Sequence, residues 1–183
     1  MGNSMRNSDS GYGWIAIILH WLMAVGIAFL FGLGLYMVEL SYYDSWYRGS
    51  LELHKSLGVS LLLLWTLRLL WRWLNETPAA VGTVFEQKAA SVVHGLLYFL
   101  PLALMFSGYL ISTADGRDLV VFDWLSIPAL PSLVERQEDI AGTVHWLLAW
   151  SVIGLAATHA LAALKHQLID KDGSLIRILR PGR

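Results

Sequence analysis

Four histidines of this chain lie inside long apolar stretches, and their placement restricts the fold more than any other feature. They are His20, His54, His145 and His159. An ionisable side chain is costly in hydrocarbon, so a histidine within a membrane span indicates a functional site. His145 and His159 are 14 positions apart. This interval is close to four turns of α-helix, so both side chains leave nearly the same face, about 21 Å apart along the axis. One helix can therefore carry a ligand for a metal centre near each side of a membrane.

The apolar stretches themselves are long enough to cross a bilayer, which takes roughly 20 residues each. They cover residues 14–38, 51–73, 89–112 and 140–164. The first is too long for a signal-peptide core and no small-residue cleavage site follows it, so we expect it to be retained. Hydrophobic residues make up 56% of the chain, more than a soluble domain usually carries. The sequence predicts an all-α membrane protein, a single domain over residues 1–183 built as a bundle of four transmembrane helices.

The basic residues indicate how the bundle is oriented. An N-terminus on the inner side places nine of them inside: Arg6, Arg68, Arg72, Lys88, Lys165, Lys171, Arg177, Arg180 and Arg183. It leaves four outside: Arg48, Lys55, Arg117 and Arg136. Nine of the acidic residues then lie outside and five inside. This distribution satisfies the positive-inside rule, so we expect both termini in the cytoplasm. Membrane lipid is the expected surrounding partner, and nucleic acid is not.

This orientation gives each histidine a depth. His54 enters the second helix from outside and His145 lies near the outer end of the fourth, so both belong to an outer layer. His20 lies about two turns into the first helix and His159 deep in the fourth, so both belong to an inner layer. Helical bundles commonly build cofactor sites from side chains on facing helices. The sequence therefore predicts two sites, each made by a pair of histidines.

Haem is the cofactor that suits such pairs. The chain has no cysteine, which excludes iron–sulfur clusters and thiolate-ligated haem. Two imidazoles in a layer are too few for a tetrahedral zinc site, whereas a haem needs only two axial ligands from the protein. A lone histidine in a span is more often a core side chain bonded to a carbonyl. Four histidines in two depth-matched pairs favour two haems.

Three further residues have candidate roles with a simpler alternative beside each. Arg68 follows His54 by 14 positions, so it lies at the inner depth and can pair with a haem propionate, or it can reach the headgroups beside Arg72. His166 follows His159 by seven positions at the membrane boundary and is a candidate contact for a quinone, or an interfacial polar residue. For His94, near the inner end of the third helix, the interfacial interpretation is favoured. No catalytic residue is predicted.

Five segments in this order and spacing carry a family resemblance. They are "ILHWLMA", "LHKSLGV", "LRLLWRW", "LYFLPLALMFSGYLIS" and "THALAALKHQLIDKDGSLIRILRP". Together, from Trp14 to Pro181, they resemble the bacterial cytochrome b561 family of four-helix, di-haem membrane proteins. The resemblance implies two b haems with axial ligands at His20, His54, His145 and His159. It also implies a bacterial inner membrane and exchange of electrons with ubiquinone on the cytoplasmic side.

These features favour transfer of electrons across the membrane between a periplasmic-side donor and ubiquinone. The family includes a superoxide oxidase, so superoxide is one candidate donor and a superoxide:ubiquinone oxidoreductase one candidate enzyme. The outer charge is predominantly acidic, whereas an anion is steered by basic residues. The alternative is a membrane-anchoring haem b subunit that relays electrons for a partner oxidoreductase, with the acidic loop from Asp115 to Asp139 as the docking surface for a periplasmic redox partner. The same loop can also be simply a solvated surface.

Overall fold

Four long helices form most of the chain. The computed structural model describes residues 5–182, so Arg183, counted above among the inner basic residues, lies outside the described residues. The helices are α1 Trp14–Val38, α2 Tyr47–Leu74, α3 Val84–Ser112 and α4 Gln137–Lys165. All four are long and apolar enough to cross a membrane. The prediction of an all-α membrane protein with four transmembrane helices is confirmed.

Helices α2, α3 and α4 begin three to five residues before the apolar stretches that predicted them. The apolar stretch marks only the part of a helix that suits hydrocarbon, and the polar flank needs its own start signal. In α3 this signal is a capping box. The Glu86 carboxylate accepts from the backbone N–H of Thr83 at 2.8 Å, and the Thr83 hydroxyl accepts from the backbone N–H of Glu86 at 3.4 Å. These bonds satisfy two donors at the helix start.

A short hairpin between α3 and α4 is a feature that the sequence analysis did not predict. Strand β1, Leu119–Val121, pairs antiparallel with β2, Leu125–Ile127. Three residues connect the strands, and the first two, Phe122 and Asp123, have φ values of 48° and 62°, the positive values that the tight turns of hairpins favour. Phe-Asp lacks the asparagine or glycine that normally announces this turn, so the signal in the sequence was weak. The backbone N–H of Phe122 donates to the Ser56 hydroxyl at 2.9 Å, which attaches the hairpin to α2.

The chain divides into two compact units, and each draws on several helices. The first consists of the chain up to Ala24, Leu64–Tyr98 and the chain from Gly154 onward. The second consists of Val25–Leu63 and Phe99–Ile153. His20, Arg68, His94, His159 and His166 belong to the first unit, and His54 and His145 belong to the second.

The C-terminal segment is hydrogen-bonded to three other parts of the first unit, namely α1, the N-terminal segment and the loop that follows α2. The Trp21 indole N–H donates to the Ile178 carbonyl at 2.9 Å, and the Arg177 guanidinium donates to the Ala79 carbonyl at 2.8 Å. The backbone N–H of Gly182 donates to the carbonyl of Tyr12 at 3.1 Å. These bonds hold the C-terminal segment against the N-terminal segment and the loop that follows α2.

Candidate functional site

His54 and His145 face each other in the second unit. Their ring centres are 6.3 Å apart and their planes are inclined at 68°. Two imidazoles that bind one iron from opposite sides, through bonds of about 2 Å, have ring centres roughly 6 Å apart. Rotation of either ring about its bond to the iron does not change this distance. The pair therefore has the spacing of two axial ligands.

The tautomer of His145 leaves one ring nitrogen available to a metal. Its Nδ1 lies 3.0 Å from the Leu104 carbonyl and 3.0 Å from the Ser107 hydroxyl. A carbonyl can only accept, so Nδ1 carries the proton and the lone pair remains on Nε2. Ser107 is 4% exposed, and its hydroxyl donates to the same carbonyl at 2.8 Å. A backbone partner of this kind orients a metal-binding imidazole and fixes its tautomer.

Glycines allow both imidazoles of this pair to approach a neighbouring helix. A Cβ added to Gly34 would lie 3.3 Å from Cε1 of His54, and one added to Gly108 would lie 3.1 Å from Cε1 of His145. Both contacts are tighter than nearly all real Cβ contacts, so either ring would have to shift by a few tenths of an ångström. The Nδ1 of His54 is buried and has no hydrogen-bond partner within the described residues. The glycines therefore set the position of the rings.

The first unit contains a second pair with nearly the same spacing. The ring centres of His20 and His159 are 6.5 Å apart, with planes inclined at 62°. A third ring, His94, lies only 5.1 Å from His159. That distance is too short for the two to bind one iron from opposite sides. The structure thus brings three histidines together where the sequence analysis expected two. The depth of His94 on α3 could have indicated this, since it matches the depth of His159.

Arg68 lies beside Tyr98 in the first unit. Its Nε donates to the Tyr98 hydroxyl at 3.3 Å, and its guanidinium carbon is 5.8 Å from the centre of that ring. Arg72 approaches the same ring at 5.6 Å. Nη1 of Arg68 is buried without a hydrogen-bond partner in the described part of the chain. A buried guanidinium N–H without an acceptor suits an anionic group such as a carboxylate.

His166 lies just beyond α4 in a π-helical turn, His166–Asp170. Its Nδ1 is 2.7 Å from a carboxylate oxygen of Asp172 and 3.0 Å from one of Asp170. The ligand atoms of Glu86, His166 and Asp170 are close enough to hold a cation. The Lys165 ammonium already occupies this position, 2.7 Å from both Glu86 and Asp170. The charges of this cluster are therefore compensated by the protein itself.

Two of the four basic residues that the sequence analysis placed outside are paired with neighbouring carboxylates. Arg117 pairs with Asp115, and Arg136 pairs with Asp139. The hydrogen bonds from Arg117 hold the pKa of Asp115 below its usual value. The side chain of Lys55, which follows His54 directly, makes no hydrogen bond or ion pair with another residue in the range that the structure covers.

The donor set fits haem. Two pairs of imidazoles stand at axial-ligand spacing, one ring has its Nε2 free, and glycines make room for both rings of one pair. The number of protein ligands in each pair also matches the number that a porphyrin leaves to the protein.

Comparison with known proteins gives the same result. Residues 11–181 match the family described as prokaryotic cytochrome b561. Cytochrome b561 homolog 2 of Escherichia coli K12 is 44% identical over 178 residues, which cover 96% of this chain and 95% of the relative. Cytochrome b562 of Cereibacter sphaeroides is 31% identical, covering 94% and 98%. The probable superoxide oxidase CybB of Yersinia pestis is 29% identical, covering 92% and 95%. This chain therefore belongs to the prokaryotic cytochrome b561 family, whose members are multi-pass bacterial membrane proteins that bind haem b and transfer electrons.

Proposed function

We propose that this protein transfers electrons across the bacterial inner membrane through two b haems and delivers them to ubiquinone. His54 and His145 would hold one haem, and His20 and His159 the other. The observation that carries the proposal is the pair of ring-centre distances, 6.3 Å and 6.5 Å. Both are close to the roughly 6 Å expected of two imidazoles that would hold one iron between them.

The chain's own residues explain how the haems would be held and what they would do. When bound, two haems held by these histidines would supply one-electron transfer. The Leu104 carbonyl accepts a hydrogen bond from Nδ1 of His145, which would leave Nε2 as the metal-binding nitrogen. Arg68 would direct its free Nη1–H to a propionate. Such a charge-assisted bond stabilises the bound group and raises the affinity of the site for an electron.

The direction of transfer is assigned from charge. Basic residues accumulate on the segments that include both termini, so we place the termini in the cytoplasm. His54 and His145 would then receive electrons from the periplasmic side, and His20 and His159 would pass them on. Ubiquinone would be reduced near His166, whose Nε2 is the ring nitrogen not engaged by Asp170 and Asp172.

Superoxide is the donor that one relative's name suggests. Lys55 supports this donor, because it is a half-buried cation beside His54 without a partner among the described residues. Arg117 and Arg136 support it less, because each is neutralised by an aspartate. If Lys55 guides the anion, Lys55→Ala should lower superoxide-dependent turnover several-fold at low salt and less at high salt. Arg136→Ala is the control that should change little.

The second candidate is a membrane-anchoring haem b subunit for a partner oxidoreductase. The observation in its favour is the acidic segment around the hairpin. Once Asp115 and Asp139 have neutralised their arginines, Asp123, Glu135 and Glu138 remain exposed there. Such a surface suits a basic periplasmic protein.

A dithionite-reduced minus oxidised spectrum with haem quantification tests the proposal first, and two b haems per chain are expected. Absence of Soret absorption from membrane-purified protein would exclude it. Ubiquinone reduction by the purified protein with superoxide alone would then identify the first candidate. Strict dependence on a co-purified protein donor would identify the second.

A further inference from the structure

An indole N–H on α2 is buried without a hydrogen-bond partner, and the roles assigned so far do not use it. The helix contains three tryptophans, Trp65, Trp71 and Trp73. The indole N–H of Trp65 donates to the Tyr98 carbonyl at 3.1 Å, and Trp73 is 72% exposed. Nε1 of Trp71, by contrast, is buried and has no partner among the described residues. A buried donor without an acceptor is costly, so it indicates that a further group binds there.

Arg68 presents a second donor of this kind on the same side of the helix. Trp71 follows Arg68 by three positions, and residues three apart on an α-helix are neighbours on one face. Nη1 of Arg68 is likewise buried without a partner in the described part of the chain. Indole and guanidinium N–H groups can only donate. A ligand that suits both atoms must therefore supply acceptor oxygens.

Side-chain contacts connect these donors to the inner histidines. Tyr98 accepts a hydrogen bond from Nε of Arg68 at 3.3 Å, which leaves Nη1 for another partner. Tyr98 lies one turn after His94 on α3, and the ring centre of His94 is 5.1 Å from that of His159. All of these residues belong to the first unit. Arg68 therefore lies at the site proposed for the inner haem, with Trp71 one turn away.

A carboxylate is the ligand that suits this pair of donors. Its two oxygens have room for several hydrogen bonds, and its charge complements the guanidinium. The neutral indole adds a directed bond without adding a second charge. Trp71 also lies about 4.5 Å closer than Arg68 to the end of the helix, which is at Leu74. The two donors thus extend toward the membrane surface, the direction in which a charged group costs least.

We propose that Nε1 of Trp71 and Nη1 of Arg68 together bind a propionate carboxylate of the inner haem, which makes Trp71 a further haem-binding residue. This inference rests on the proposed function. His20 and His159 would hold the haem at its iron, and the two donors would hold it at its edge. Loss of the bond from Trp71 should therefore speed the release of this haem without removing an axial ligand.

Haem release from the holoprotein tests the inference. Purified full-length protein is mixed in its oxidised state with excess apomyoglobin, and the change in the Soret band follows the transfer of haem. The release phase that persists in His54→Ala is assigned to the inner haem. We expect Trp71→Phe to accelerate this phase about tenfold, as the loss of a hydrogen bond to a charged group implies, and to leave the other phase unchanged. Trp73→Phe is the matched control and should release both haems at the original rates.

A second variant separates the hydrogen bond from packing. Phenylalanine keeps an aromatic ring but has no N–H, whereas glutamine loses the ring and carries an amide N–H. If the N–H binds the propionate, Trp71→Gln should release the inner haem more slowly than Trp71→Phe. The reverse order would overturn the inference, because it would show that the indole only fills space. The reduction potential of the inner haem should also fall further in Trp71→Phe than in Trp71→Gln, since a donor to the propionate favours the reduced form.

The possible results distinguish this inference from the proposed function. Fewer than two haems in the unmodified protein would contradict the proposed function itself. If that protein contains two haems and Trp71→Phe releases both at the original rates, the role of Trp71 is wrong and the two haems stand. If Trp71→Phe cannot be purified with two haems, the haem content of Trp71→Gln decides. Two haems in Trp71→Gln would support the hydrogen bond, and loss of the same haem from both variants would exclude it.

Discussion

His54 and His145 lie with their imidazole centres 6.3 Å apart, although they are 91 positions apart in the chain. This distance is wider than a direct contact between two histidine rings requires. His94 and His159 meet at 5.1 Å, an ordinary edge-to-face contact between rings. His20 and His159 keep 6.5 Å. Two of the three histidine contacts thus leave the width of a metal between the rings, and the third does not.

Removing His54 or His145 should remove one of the two proposed haems. His54→Ala or His145→Ala should lower the haem content from about two to about one per chain, because the remaining imidazole cannot hold the iron from both sides. Haem quantification with a redox titration measures the result. The same single haem potential should disappear in both variants. Loss of different potentials, or an equal reduction of both, would contradict the pairing.

His94 supplies the control for the inner pair. His94→Leu removes a ring that touches His159 without the spacing of an axial ligand, so both haems should remain. His159→Ala should remove one. If His94→Leu contained only one haem, His94 would be a haem ligand in place of either His20 or His159.

The glycines behind the outer pair should be more sensitive than their neighbours. In Gly108→Ala the new methyl group would lie 3.1 Å from Cε1 of His145, so the ring must move and the haem should bind more weakly or show an altered Soret band. Gly34→Ala should act likewise on His54. Gly32→Ala is a matched control two positions away, because its added Cβ meets nothing within 4 Å. Equal spectra for all three variants would contradict the proposed role of the glycines.

The sequence predicted the four helices and the histidine that faces each proposed haem ligand, because both follow from hydropathy and from position along a helix. Hydropathy gives the spans, and the helical rise gives the depth of His20, His54, His145 and His159. The family resemblance is confirmed as well, whereas the ligand roles stay predictions. What could not be predicted depends on backbone conformations that the residue types in question do not favour. The turn at Lys171 that returns Asp172 to His166 has no signal in the sequence, since lysine does not normally adopt a positive φ.

Arg68 should influence the redox potential of the inner haem. A cation beside a propionate favours the reduced form, so Arg68→Met should lower that potential. Only the part of this interaction that differs between the oxidised and reduced haem shifts the potential, and a difference of about 1.4 kcal/mol corresponds to roughly 60 mV for a one-electron couple. Potentiometric titration of both haems measures the shift. Arg72→Met removes a charge from the same tyrosine ring and should shift the potential much less. Equal shifts would indicate a general charge effect without a propionate bond.

Acid should release the C-terminal segment from His166. The bonds from Ser174 lower the pKa of Asp172 in the folded protein, so its stabilising contribution is complete above the unfolded value of about 3.9. The contribution is lost as the pH falls below that value and through the lowered folded pKa. Hydrogen exchange of residues 166–182, corrected for the intrinsic exchange rate, should therefore show constant protection from pH 7 to pH 5 and a decrease below about pH 4.

Asp172→Asn should show reduced protection already at pH 7 and a smaller further decrease in acid. Asp9→Asn, which changes an exposed carboxylate in the N-terminal segment, should follow the unmodified protein. Protection that stays constant down to pH 3 in the unmodified protein would show that Asp172 does not hold the segment.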